Sequence, residues 1–129
     1  MAELKVLGEI DERALKMEFG ALQTAEVIVT EERIKHIRER HPQDVELFEL
    51  YGQGMIAEPD IIIKDMKNEG TVFMIKHLPD SNVNVVVRLA LETEDEGLKN
   101  SVMTFYRIRT KNLVKLLKKN KVIYRKEII

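Results

Sequence analysis

Cysteine is absent from this 129-residue chain, which excludes a disulfide framework, a thiolate metal site and a cysteine nucleophile. Tryptophan is absent too, and aromatic residues make up only 5% of the chain. So thin a supply argues against a broad platform on which single-stranded bases stack. No apolar run approaches the ~18 residues of a membrane span. Met1-Ala2-Glu3-Leu4-Lys5 also lacks the charged-then-apolar pattern of a signal peptide. The expectation is a soluble, cytoplasmic protein with no membrane partner. The three histidines, His36, His41 and His77, form no H-E-x-x-H pattern or other recognised ligand spacing, so neither metal nor cofactor is called for. Internal repeats, low-complexity tracts and long linkers are missing as well. What remains is 44% hydrophobic, enough for one domain to close its own core.

Charge is plentiful but unevenly placed. Residues 1–98 carry 11 Lys+Arg against 21 Asp+Glu, whereas residues 99–129 carry 10 Lys+Arg against Glu127 alone. A basic end of this kind suits an anionic partner such as nucleic acid, because Lys and Arg near phosphates release counterions. A solvated basic helix beside an acidic body is the competing account.

Hydropathy patterning predicts an α+β domain. Leu4, Val6, Gly8 and Ile10 alternate with Glu3, Lys5, Leu7 and Glu9, and Leu15, Met17 and Phe19 alternate again with Lys16 and Glu18, so residues 1–24 read as an N-terminal β-hairpin, an accessory element. The Val27-Ile28-Val29 strand ends at Thr30, whose hydroxyl can cap a helix from Glu31 to Arg40 with Glu31 and Glu32 in its first turn. Pro42 stops that helix by forcing His41 out of the α region, and a second helix is expected from Pro42 to about Tyr51, ahead of Gly52 and Gly54. Four strands follow, at 61–65, 71–77, 83–91 and 101–109, joined closely enough for an antiparallel meander. A basic helix capped by Thr110 then buries Leu113, Leu116 and Leu117 and presents Lys111, Lys115 and Lys118, and residues 121–126 form a final edge strand.

Chemistry concentrates between Arg33 and Pro42. On a helix of 3.6 residues per turn, Arg33, His36 and Arg40 share one stripe. Two guanidinium groups flanking an imidazole make a base beside an anion clamp. An ordinary solvated helix face is the plain alternative. The break at Pro42 turns His41 separately, either to cap the helix end or to reach the same cleft as His36. In the strand 101–109, alternation puts Thr104 and Tyr106 on one face and Phe105 and Arg107 on the other. Arg88 projects from the non-core face of its neighbour, although Thr and Tyr are also favoured in strands for packing alone.

Taken together, the segments resemble the phage-encoded branch of the superfamily that groups barnase, EndoU, nuclease colicins and RelE-like toxins. The likeness is carried by Ile28-Val29-Thr30 leading into a helix with His36, by Arg40-His41-Pro42, Pro59-Asp60, Asn100-Ser101-Val102-Met103-Thr104 with Tyr106, and Tyr124. It covers roughly residues 25–126, within a ribonuclease-like domain spanning 25–129. The resemblance implies an antiparallel sheet packed against N-terminal helices and metal-independent RNA cleavage in a cleft between helix and sheet. It implies His36 as base, His41 as acid, Arg40 and Arg88 as charge stabilisers, and Thr104 with Tyr106 as donors to phosphoryl oxygens. Arg33, Arg107, Lys111, Lys115 and Lys118 would hold substrate. The partners are then RNA, tRNA among them, and a cognate inhibitor or immunity protein; no base-reading motif identifies the target. Two other functions stay open. One is a non-catalytic module that binds nucleic acid or an acidic protein through the basic helix, and the other is an assembly protein that oligomerises through residues 1–24.

Overall fold

A computed structural model describes residues 4–126; the outermost residues of the predicted hairpin and domain, 1–3 and 127–129, lie outside them. Seven strands form one sheet in the order β1-β2-β6-β5-β4-β3-β7. They are β1 (Leu4–Glu9), β2 (Glu26–Thr30), β3 (Ile61–Lys64), β4 (Thr71–His77), β5 (Asn82–Arg88), β6 (Asn100–Ile108) and β7 (Lys121–Arg125). The helices are α1 (Lys16–Phe19), α2 (Glu31–Arg40), α3 (Val45–Ala57) and α4 (Thr110–Lys119). The chain is therefore α+β, with β3 to β6 as an antiparallel meander and β7 at the edge. One pair is parallel: β2 runs alongside β6, through Val27 opposite Asn100 and Ile28 opposite Ser101. Both outermost pairs, β1–β2 and β3–β7, carry a register shift.

Each face of the sheet is buried under helices. On one face Val27, Val29, Val72, Met74, Val83, Val85, Val87 and Phe105 meet Ile37 of α2 and Phe48, Met55 and Ile56 of α3. On the other, Ile61, Ile63, Ile75 and Ile108 meet Leu113, with Leu116 and Leu117 alongside. The period-2 alternation of β5 and the 3.6-residue stripe of α4 thus point to different cores.

Several boundaries differ from expectation. The predicted hairpin does not form: β1 pairs with β2, and residues 16–19 form α1, with Leu15 at its cap position. Leu15 is fully buried while Met17 is fully exposed, which helical spacing allows and a one-faced strand does not. The helix expected from Pro42 begins as a 3-10 turn, Pro42–Asp44, and α3 continues past both glycines to Ala57. Gly52 lies against the Phe48 ring and Leu7, where a β-carbon would be tight, so this glycine serves packing between α3 and β1. β5 ends at Arg88 instead of residue 91, and Arg109 occupies the cap position of α4, with Thr110 its first helical residue.

Asn100 joins the parallel pair to the rest. Fully buried, its side chain accepts from the Ala90 N–H (2.7 Å) and donates to the carbonyls of Thr24 (2.8 Å) and Glu26 (2.9 Å). Asn100→Ala should cost about 3 kcal/mol, because three backbone groups lose their partner together; a urea midpoint close to that of the parent would contradict this assignment. Glu18 of α1 bonds Lys64 of β3 (3.0 Å) and Lys121 of β7 (2.9 Å). Lys121, and then Lys64, hold its carboxyl below the usual range. Its folded value being the lower one, the stabilisation is present above the ordinary glutamate range and lost as pH falls through the folded value. Glu18→Gln should flatten the acid limb of stability against pH, measured by urea unfolding.

Candidate active site

The arrangement begins at the edge of β6. Because β2 pairs only with its first two residues, the rest of that edge runs alongside α2. Thr30 starts the helix as its side chain accepts from the Arg33 N–H at 3.0 Å. Pro42 ends it: His41 leaves the helical region at φ −136°, ψ 60°, as a residue preceding proline must, while its N–H still reaches the Ile37 carbonyl at 2.7 Å.

That exit lays the His41 imidazole on the Tyr106 ring, with centroids 5.3 Å apart and planes 26° from parallel. Three residues further on, Asp44 anchors the junction. Its buried carboxylate accepts from the Arg107 backbone N–H (3.1 Å) and from Arg107 Nε (2.7 Å). One side chain therefore closes the β6 edge and aligns a guanidinium.

Tyr106 has a second partner that sequence reasoning missed. Asn84 Nδ2 donates to the tyrosine hydroxyl at 3.1 Å, and Asn84 is wholly buried, its Oδ1 without a partner among the described residues. The signal was present as the one amide in Val83-Asn84-Val85-Val86-Val87. Since Asn84 supplies a hydrogen to the phenol oxygen, the phenol's own hydrogen is left for an acceptor elsewhere.

The remaining predicted residues divide. Thr104 lies opposite Val86 and Tyr106 opposite Asn84, and Arg88 opposite Ser101, so all three share the face away from Phe105. Arg88, however, is already engaged, with Nη1 on the Leu89 carbonyl and Nη2 on Glu94, each at 2.6 Å. Its guanidinium also fills the space that a β-carbon at Gly70, held at φ +80°, would need. The Leu91 N–H, and after it Arg88, keep the Glu94 carboxyl below its usual range. Arg88 thus fastens the loop at 89–94.

His36 does not join the pair. It is half-buried in a groove of about 370 Å³ that, among the described residues, is lined by Thr30, Glu32, Arg33, Lys35, His36 and Glu39. Neither Thr104 nor Tyr106 borders it. Arg33 stands with His36 there, while Arg40 is exposed beside His41. Lys111, Lys115 and Lys118 are exposed on α4. His77 bonds Asn82 through Nδ1 at 2.6 Å, at the far end of β4. Among the described residues no cluster of His, Asp and Glu has a metal-holding arrangement, and no helix is long and apolar enough to cross a membrane. No family model, curated protein or solved structure matches this chain.

Tyr106→Phe should cost about 1–2 kcal/mol, because it strips Asn84 Nδ2 of its acceptor inside the core. Adding Asn84→Leu to that variant should recover most of the loss, since two apolar groups then replace a broken polar pair. Chemical denaturation of the parent, both singles and the double decides the matter; a double variant as weak as the sum of the singles would argue for an unrelated defect.

Proposed function

We propose that this chain is a metal-independent endoribonuclease of the toxin-like kind, whose reacting centre is His41 and Tyr106 in place of His36. The observation that carries the reading is the stacked imidazole and phenol, with Asn84 bonded to the phenol oxygen and the exposed Arg40 preceding His41 in the chain. The order of sequence features that resembles the phage-encoded nuclease branch supports it independently.

In this reaction the ribose 2′-hydroxyl attacks the adjacent phosphorus. His41 takes the hydroxyl proton as the O–P bond forms, and Tyr106 gives its proton to the departing 5′ oxygen as the second O–P bond breaks, leaving a 2′,3′-cyclic phosphate. Asn84 Nδ2 remains as a donor to the phenolate oxygen. Arg40 opposes the charge that builds on the phosphorane, and the Thr104 hydroxyl, on the same strand face as Tyr106, donates to a phosphoryl oxygen. The exposed lysines of α4, Lys111, Lys115 and Lys118, attract the backbone of the strand. The need for a 2′-hydroxyl restricts the substrate to RNA.

The lysine row also favours a second reading, a non-catalytic module for nucleic acid. The two separate cleanly on a tRNA substrate in EDTA. A nuclease yields cyclic-phosphate ends, and His41→Ala and Tyr106→Phe each lower the rate by about 100-fold or more, while His36→Ala has a smaller effect. A binding module leaves the RNA intact and shows affinity that falls with salt and with loss of the lysines. Intact RNA with the parent protein overturns the nuclease reading; loss of cleavage in His36→Ala but not His41→Ala overturns the placement of its centre.

A further inference from the structure

A groove of about 580 Å³ opens where the His41 and Tyr106 segments continue. Gln43 and Asp44 follow His41 along one side, and Arg107, Ile108, Arg109 and Thr110 follow Tyr106 along the other. The β4–β5 turn, Asp80-Ser81-Asn82, forms the remaining wall. Arg109 lies three steps of near-extended chain beyond Tyr106, about 10 Å of backbone at ~3.3 Å each, with Arg107 between them turned to the other strand face. A neighbouring nucleotide can span that distance.

The lining is rich in hydrogen-bond donors. Asp44 engages Arg107 through Nε, which orients the guanidinium and leaves both Nη groups without a partner among the described residues. Arg109 is exposed and makes no ion pair among them. Ser81 and Thr110 add hydroxyls. His77 occupies the Asn82 side-chain oxygen, so the amide hydrogens of Asn82 remain available. Against these stand two carboxylates, Asp44, which is paired with Arg107, and Asp80, exposed on the turn, whose repulsion of an anion solvent screens. Guanidinium forks, hydroxyls and an amide around one concavity match the oxygens of a phosphodiester.

We infer that this groove is a subsite for the phosphate next to the one at His41 and Tyr106, with Arg109 and the free end of Arg107 as its charge partners. The inference takes its substrate from the ribonuclease reading. It extends that reading by assigning a binding role to Arg109, Ser81 and Asn82 and by making the enzyme sensitive to substrate length.

The test uses the full chain with an RNA dinucleotide and with trinucleotides that have one cleavable ribose and an added phosphate on its 5′ or its 3′ side. In the parent protein, one of the two added phosphates should raise kcat/KM about tenfold, the size of one charge-assisted hydrogen bond. That ratio should fall to near one in Arg109→Gln and rise in Asp80→Asn. Dissociation constants of the all-2′-deoxy dinucleotide and trinucleotides, which cannot be cleaved, supply an arm independent of chemistry. Cleavage with a ratio that Arg109→Gln leaves intact overturns the subsite and keeps the nuclease. A length step in binding that Arg109→Gln abolishes, without cleavage by the parent, keeps the subsite and overturns the nuclease. Neither cleavage nor a length step overturns both.

Discussion

Beyond Ser101, the outer edge of β6 has no strand to bond to among the described residues, and its backbone groups must find partners elsewhere. Much of the remaining arrangement follows from how that need is met. A helix occupies the place a strand would have continued into, and at Arg107 a buried carboxylate takes the N–H that a neighbouring strand would have accepted. Asp44 can do this only if the chain turns sharply after α2, and Pro42 supplies the turn. His41 lies at the bend, so the same geometry that closes the edge brings an imidazole onto Tyr106. Edge closure and the position of the candidate acid–base pair are one structural solution.

The two faces of the sheet are filled differently. The face under α2 and α3 is a continuous aliphatic and aromatic layer, with Phe48 and Phe105 in contact at 5.0 Å between centroids. The face under α4 holds the buried amide of Asn84 among isoleucines and valines. An amide oxygen with no partner among the described residues carries in such surroundings a desolvation cost of about 1–3 kcal/mol that an aliphatic residue would avoid. The direct bond of this amide to Tyr106 gives it another use, and the tyrosine hydroxyl is held from inside the sheet while His41 covers its ring.

Much of this was legible in the sequence. Alternation across β4, β5 and β6, the Thr30 cap and the break at Pro42 are local signals, and each leads directly to the element observed. What escaped depends on contacts between distant segments. Leu15-Lys16-Met17-Glu18-Phe19 alternates like a strand, yet its buried end packs into the core with Met17 in solvent, and four residues are too few for periodicity to decide. Gly52 reads as a helix breaker until Phe48 and Leu7 are seen against it. In the candidate site, the residue types were readable but their grouping was not. Arg88 looked available until Glu94 claimed it, and His36 looked central because a helical stripe reveals which residues are neighbours without revealing what faces them.

Both terminal pairs of the sheet are out of regular register, one at Val6 and Gly8 and the other at Ile62 and Ile63. A seven-stranded sheet with two open ends is otherwise a template on which copies of the same chain add edge to edge. Such shifts twist the outer strands and interrupt the even ladder that an incoming strand must match. On β7 the exposed Arg125 adds charge to that edge, while Lys121 is paired with Glu18. The irregularities thus disfavour the addition of a further strand at either end of the sheet.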